Sequence, residues 1–366
     1  MVCNEIRVRD FRNVERAEVG FLEGVNILLG DNAQGKTNLL ESIYYVAIGK
    51  SFRGAKNAEI IRFGEKTCEI SLDFTDSLRR QNITVHLGDG TPRTTMVNGC
   101  RAESLSETVG VFRAVLFCPE HLLIVKEGPQ LRRNYLDVAI CQLKPMYLRS
   151  LQRYNRILKQ RNALLKKAEE NRKEFSDTIE FWSLQLAKEG ASIAKERLLY
   201  IKKLDENART YFSDMTGGSE IPSFRYVGTA HRDEDDYFDE ALIEKSFADL
   251  LLSHHDRETC AGTTLWGTHR DDIMIELNGK PARIFASQGQ QRSLALAMKL
   301  SESEISEKMT TEYPVLLLDD VLSELDTKRR DYLLSSIKGR QVIMTTCEQV
   351  AEGNANVIRV ENGRYY

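Results

Sequence analysis

Apolar and polar positions alternate in a strand rhythm at the start of the chain. Ile6 and Val8 alternate with Arg7 and Arg9, Phe11-Arg12-Asn13 turns the chain, and Val19 and Phe21 follow. Gly24 breaks the pattern ahead of a buried strand, Val25 to Leu29. The spacing then becomes helical: Leu39, Leu40, Ile43, Tyr44 and Ala47 share one face of a helix that ends near Gly49. Alternation returns over 67–117, in Ile70-Leu72-Phe74 and Ile83-Val85-Leu87, with turn signals at Gly88-Asp89-Gly90 and Asn98-Gly99. With the apolar run Val111 to Phe117, this predicts an antiparallel sheet beside the first one.

Beyond residue 128 the pattern is helical. Leu136, Ile140, Leu143, Tyr147, Leu151, Tyr154 and Leu158 recur at intervals of three and four. Pro145 predicts a break in that stripe and a new helix over 146–172. Asp177-Thr178-Ile179-Glu180 reads as a capping box that opens a second helix, with Ile179, Trp182, Leu186 and Ile193 on one face. The pair makes a short antiparallel arm. Strand and helix alternate again from about 262. Ile273, Ile275 and Leu277 form a strand, Asn278-Gly279 a turn, and Arg283 to Phe285 the return strand. A helix carrying Leu294, Leu296, Ala297 and Leu300 follows, then the apolar strand Val315 to Leu318, a helix opened by Ser323 to Asp326, a core strand over Gln341 to Thr345 and a terminal hairpin over 357–366. The expected fold is α/β, with mixed sheets around one glycine-led helix. One domain covers 1–125 plus 262–366, and a helical arm domain covers 126–261.

Composition narrows the setting. A hydrophobic fraction of 42% suffices for a globular core. No stretch reaches the length of a membrane span, and the first residues have no signal-peptide pattern. Seven cysteines lie scattered with no C-x-x-C pair, which points to a reducing, cytoplasmic setting and away from structural zinc. A net charge of −3 excludes a uniformly basic nucleic-acid binder but leaves room for a local basic surface. The first arm helix offers one: Lys144, Arg149, Arg153, Arg156, Lys159, Arg161, Lys166, Lys167, Arg172 and Lys173 stand against Glu169 and Glu170. A solvated helix face accounts for that charge equally well. The acidic run Asp233 to Asp236 reads as a solvated loop.

The chemistry concentrates in Gly30-Asp31-Asn32-Ala33-Gln34-Gly35-Lys36-Thr37-Asn38, which fits G-x-x-x-x-G-K-[ST]. Glycines let several N–H groups converge on one point, and the helix that follows adds a partial positive charge. Lys36 supplies a point charge for the outer phosphates and Thr37 an oxygen for Mg²⁺. A phosphate loop needs an acidic partner, and Val315 to Asp320 provides it: Asp319 to hold Mg²⁺ or its water, Asp320 to orient or deprotonate an attacking water. The implied ligands are ATP and Mg²⁺.

A phosphate loop, an apolar strand ending in two acids, a glycine signature upstream (Ser287-Gln288-Gly289-Gln290-Gln291) and a small acidic turn downstream (Ser323 to Asp326) resemble the heads of ABC-type ATPases. The match narrows to the RecF family, DNA-repair relatives of the SMC ATPases. It is carried by F-R-N at 11–13, K-S-F-R at 50–53, F-C-P-E-H at 117–121, R-R-N-Y-L-D at 132–137, G-T-H-R-D-D at 267–272, A-S-Q-G-Q-Q-R at 286–292 and L-L-L-D-D-V-L-S-E-L-D at 316–326, beside the phosphate loop. The resemblance implies a head that works as an ATP-dependent homodimer. Ser287 and the helix beginning near Gly289 would meet nucleotide bound by the other subunit, Asp326 would add to the nucleotide site, and slow hydrolysis would release the pair. It also implies binding to DNA at single-strand/double-strand junctions, here through Arg153, Arg156, Lys159 and Lys166. RecR and RecO would help load RecA at gaps, with roles in replication restart and SOS induction. Three departures stand out: Asp320 where many ABC ATPases carry Glu, Thr346 and Cys347 where a switch histidine is expected, and Thr268 in place of proline in G-P-H-R-D-D.

Rival readings fit less well. A transporter motor subunit shares the nucleotide motifs but not the β-rich segment, the arm or the S-Q-G-Q-Q signature. An ATPase-linked nuclease of the overcoming-lysogenization-defect type needs an acidic module after Asp326, where few residues remain. A long-armed tether needs hundreds of coiled-coil residues and a cysteine hook, and a GTPase needs N-K-x-D; neither pattern is present. An ATP-binding scaffold unrelated to repair keeps the motifs without turnover.

Overall fold

The computed structural model describes residues 1–168, 172–229, 239–347 and 355–366. Two compact units divide them: Met1–Leu123 with Tyr211–Gly218 and Gln288–Tyr366, and Ile124–Thr210 with Ser219–Ser287.

In the first unit the alternating segments become strands. β1 (Val2–Phe11) and β2 (Val14–Gly20) pair antiparallel, and β3 (Val25–Leu29) leads through the phosphate loop into the helix Lys36–Ile48. β4 (Thr67–Thr75), β5 (Arg80–Gly88), β6 (Thr91–Val97) and β7 (Cys100–Arg101) join β1 and β2 in one antiparallel sheet, ordered β2-β1-β4-β5-β6-β7. β8 (Ala114–Phe117) does not continue that sheet as its sequence neighbours suggest. It pairs parallel with a distant strand, because all four of its residues are buried and a strand covered on both faces suits a parallel sheet.

In the second unit, Pro145 splits the long apolar stripe into helices Pro129–Leu143 and Pro145–Lys166. The second arm helix runs Arg172–Thr216, so the expected capping box at Asp177 lies inside it; no Gly or Pro separates 172 from 177 to stop the helix earlier. The side chains of Arg172 and Lys173, and all of Glu169, Glu170 and Asp233 to Asp236, lie outside the described residues. β9 (Pro222–Val227) pairs antiparallel with β10 (Asp272–Leu277), which turns at Asn278-Gly279 into β11 (Lys280–Pro281). The return strand expected at Arg283 to Phe285 is instead a helical turn, Ala282–Phe285. The β9–β10 pairing draws residues 262–287 into this unit, so the division differs from the expected boundary at 262, and Tyr211–Gly218 groups with the first unit.

Back in the first unit, the signature helix Gln288–Thr310 precedes β12 (Val315–Asp319). The helix Thr327–Ser336, β13 (Val342–Thr346), β14 (Asn356–Glu361) and β15 (Arg364–Tyr365) follow. The second sheet is ordered β15-β14-β3-β13-β12-β8, with all neighbours parallel except β14–β15. The phosphate-loop helix contacts β1, β4 and β5 of one sheet and β8, β12 and β13 of the other, which explains why nearly all of it is buried.

Arg161 departs from the basic face assigned to the first arm helix. It is fully buried and donates to Ser183 Oγ (3.0 Å), Thr264 Oγ1 (2.9 Å) and Glu258 Oε2 (2.5 Å). Tyr154, Arg161 and Leu165 fall on the apolar side of that helix, so helical phase, not charge, decides where Arg161 goes. Lys144 pairs with Glu196. Removing one partner of a buried ion pair leaves the other charge uncompensated, so Glu258→Gln should cost about 3 kcal/mol of stability, read by urea unfolding. A loss under about 0.5 kcal/mol, the range of ordinary surface changes, would contradict a structural role for the pair.

Candidate functional site

The phosphate loop lies at the C-terminal end of β3, between β13 and β14. Its first glycine is required by packing. A Cβ on Gly30 would sit 2.3 Å from the carbonyl oxygen of Val360. Gly35 has φ +114°, a left-handed geometry that an L side chain resists. Asp31, Asn32 and Ala33 are exposed, and Ala33 is itself left-handed at φ +64°. Lys36 is buried, and its Nζ donates to the carbonyls of Gly30 and Asp31 (2.9 Å to the latter) and to Cys347 Sγ at 3.2 Å. The Cys347 thiol donates in turn to Asn32 Oδ1 at 3.1 Å. The residue in the switch-histidine position thus touches both the loop and its lysine.

The acidic strand delivers its carboxylate to the same place. Thr37 Oγ1 donates to Asp319 Oδ1 at 2.7 Å, and Thr345 Oγ1 donates to that oxygen at 3.0 Å. Burial raises the Asp319 pKa, with both hydroxyls pulling it back. Asp320 is exposed and strained, at φ +49°, where a non-glycine residue needs external support. Its N–H donates to Thr345 Oγ1 at 2.9 Å, and its carbonyl accepts from Ser323 Oγ at 2.7 Å. Thr345 is therefore a hinge pin between the two aspartates, a role that sequence spacing did not reveal.

Two short motifs meet at the loop helix. Arg12 donates through Nε and Nη2 to the fully buried Glu41 (3.1 and 2.8 Å). Arg53 reaches the same carboxylate at 3.5 Å, and Ser51 Oγ donates to it. Asn38 links them, donating to Asn13 Oδ1 at 2.6 Å and accepting from Arg53 at 2.9 Å. F-R-N and K-S-F-R are thus one assembly braced on Glu41.

The terminal hairpin clamps the loop from the other side. The N–H groups of Asn362 and Gly363 donate to Gln34 Oε1 (2.6 Å) and Gln34 O (2.8 Å), and Tyr365 Oη donates to Gly35 O at 3.1 Å. Nothing in the loop's own spacing pointed to these residues; the Asn362-Gly363 turn was the available signal.

The signature residues lie apart in the sequence from this cluster. Ser287 is exposed directly ahead of the signature helix. Asp326 N-caps the helix Thr327–Ser336 through Arg329 N at 2.9 Å and pairs with the Arg329 guanidinium. Arg329 also donates to Ser293 Oγ at 2.8 Å, and a Cβ on Gly289 would lie 3.1 Å from its Nη2. Arg329 therefore ties Asp326 to the start of the signature helix. In the second unit Arg153, Arg156, Lys159 and Lys166 are all exposed, with Arg153 3.5 Å from Glu189. Among the described residues no group of three or more His, Cys, Asp or Glu forms a metal cluster, and no helix is long and apolar enough to cross a membrane.

Comparison with known proteins agrees with this architecture. The family model of the RecF/RecN/SMC N-terminal domain matches residues 2–364. The DNA replication and repair protein RecF of Acetivibrio thermocellus is 38% identical over 371 residues, covering 100% of both chains. That of Clostridium kluyveri is 40% identical over 345 residues, covering 94% of this chain and 92% of its own. The solved structure of the recombination mediator RecF with ATP, from the RecFOR pathway, superposes with a TM-score of 0.93 at 36% identity, covering 100% of this chain and 97% of that one. An Smc head from Pyrococcus furiosus shares the fold alone, at a TM-score of 0.55 and 17% identity, covering 100% of this chain and 95% of that one. This ABC-type head, with mixed sheets enclosing its phosphate-loop helix, belongs to the RecF family.

Proposed function

We propose that this chain is an ATP-dependent DNA-binding protein of recombinational repair. ATP pairs two copies on DNA at single-strand/double-strand junctions, and slow hydrolysis releases them. In the cytoplasm, with RecR and RecO, the dimer helps load RecA at gaps, and through that act it serves replication restart and SOS induction. The observation that carries the nucleotide part is the 2.7 Å contact between Thr37 and Asp319, where the phosphate loop meets the acidic strand. The names of the similar RecF proteins support the DNA-repair part.

In this reading Gly30 to Asn38 cradle the phosphates. No side chain caps the loop helix, so its first-turn N–H groups suit an anion. Lys36 leaves the loop carbonyls for the outer phosphates. Thr37 and Asp319 would hold Mg²⁺; two oxygen ligands are an ordinary protein share for an ion that keeps phosphate and water as its others. When bound, the ion supplies charge neutralisation of the phosphates. Burial already makes the Asp319 charge costly, so a nearby cation is favoured there. Asp320 orients the attacking water and accepts its proton. Ser287 and the start of the signature helix offer a hydroxyl and N–H donors to nucleotide held by the partner copy, with Gly289 and Asp326 beside them.

Lys36→Ala should abolish ATP binding, whereas Asp320→Asn should bind ATP normally and lose at least about 100-fold in turnover. Calorimetric titration and single-turnover hydrolysis separate the two effects. Undiminished affinity in the first variant, or normal turnover in the second, would contradict the assignment. Tyr365→Phe deletes only the donor to Gly35 O and should raise the ATP Kd about five- to tenfold, the worth of one hydrogen bond. An unchanged Kd would show that the hairpin clamp does not shape the loop.

A further inference from the structure

G-T-H-R-D-D at 267–272 lies in the second unit. Five of its six residues are fixed inward. Gly267, at φ +127°, leaves no room for a Cβ, which would lie 2.5 Å from both Phe247 and the Tyr154 hydroxyl. Its N–H donates to Thr229 Oγ1 at 2.7 Å. The Thr268 carbonyl accepts from the buried Arg197 at 2.6 Å. His269 Nδ1 meets the Tyr154 hydroxyl at 2.8 Å, and Nε2 faces the Thr264 carbonyl at 3.2 Å, which sets Nε2 as the protonated nitrogen. Burial lowers the His269 pKa to about 4, so the ring is neutral. Asp271 is buried and accepts from Tyr226 Oη and from Thr229 N (2.8 Å) and Oγ1 (3.0 Å). Asp272 holds Arg132 through two bonds of 2.6 and 2.9 Å.

Arg270 is the exception. Its N–H closes the turn onto Gly267 O at 2.7 Å, but its side chain is exposed, with no hydrogen-bond or ion-pair partner among the described residues. Arg133, from R-R-N-Y-L-D, ties the backbone of the next residue, donating to the carbonyl of Asp271 at 2.7 Å and to Gln130 at 3.1 Å. The neighbouring carboxylates are all engaged: Asp137 by Arg197 and Tyr147, Asp271 by Tyr226 and Thr229, Asp272 by Arg132. A buried polar network of this size is costly unless every member is satisfied. Here the network ties down the backbone of the turn and leaves one cationic side chain, that of Arg270, on its exposed side.

We propose that Arg270 is a contact for a backbone phosphate of bound nucleic acid. This rests on the DNA-binding reading above and adds a site to it. A guanidinium fork matches a phosphate better than a lysine does. The same unit exposes Arg156, Lys159 and Lys166, and cations spread over one body suit a polyanion more than a lone carboxylate.

The test is fluorescence anisotropy of a labelled gapped duplex with the full chain and ATP·Mg²⁺ over a salt series. Arg270→Ala should weaken binding about tenfold and reduce the log–log salt slope by about one. Arg270→Lys should fall between Ala and the unaltered chain, because it restores charge without the fork. ATP affinity and melting temperature should stay unchanged in both. An unaltered Kd and slope in Arg270→Ala would overturn the proposal, as would lost ATP affinity. The parent reading fails separately: it falls if the unaltered chain does not bind the duplex, whereas intact binding after reversing Arg153, Arg156 and Lys159 to Glu would return only the arm to a solvated helix face.

Discussion

Two threonine hydroxyls on one oxygen of Asp319 fix the geometry on which the candidate site depends. Thr37 begins the loop helix, Asp319 ends β12 and Thr345 lies near the end of β13. Three segments distant in sequence are thereby brought to the same edge of a parallel sheet, where open α/β sheets place ligands. The arrangement carries a cost, because Asp319 is largely buried and its charge is poorly hydrated. In the proposed reading, a cation and phosphate would sit at this buried, hydroxyl-bridged carboxylate next to an N-terminal helix turn. The strained backbone at Asp320, held by the other side of Thr345, fits the same purpose.

The loop itself was legible in the sequence, because two glycines, a lysine and a threonine at fixed spacing constrain a backbone by themselves. The acidic strand was legible for a similar reason: four apolar residues before a carboxylate require burial on both faces. What surrounds them was not. The need for glycine at position 30 comes from Val360, and only the pairing of β14 with β3 brings those residues together. The Gln34 clamp and the Thr345 bridge are long-range contacts of the same kind. β8 was misassigned because local alternation cannot tell which sheet a short apolar strand joins. The domain division shifted because a pairing between β9 and β10 outweighs the sequence distance between them.

The arm shows the opposite failure, in which a local signal was available and overridden. Counting charges placed Arg161 on a basic face, although its phase with Tyr154 and Leu165 puts it on the buried side. The remaining exposed cations keep their place on the solvent side. The G-T-H-R-D-D turn is a third case: its spacing marked it as special, but only its hydrogen bonds separate the five inward residues from the outward Arg270.

The central claim is that ATP joins two copies through the phosphate loop of one and Ser287 of the other. Sedimentation velocity of the full chain, with and without ATP·Mg²⁺, beside a Ser287→Arg variant, tests it most directly. The account predicts a dimer that forms only with ATP in the unaltered chain and is missing in the variant, although the variant still binds ATP. A monomer under all conditions, or an ATP-induced dimer in the variant, would contradict the shared site.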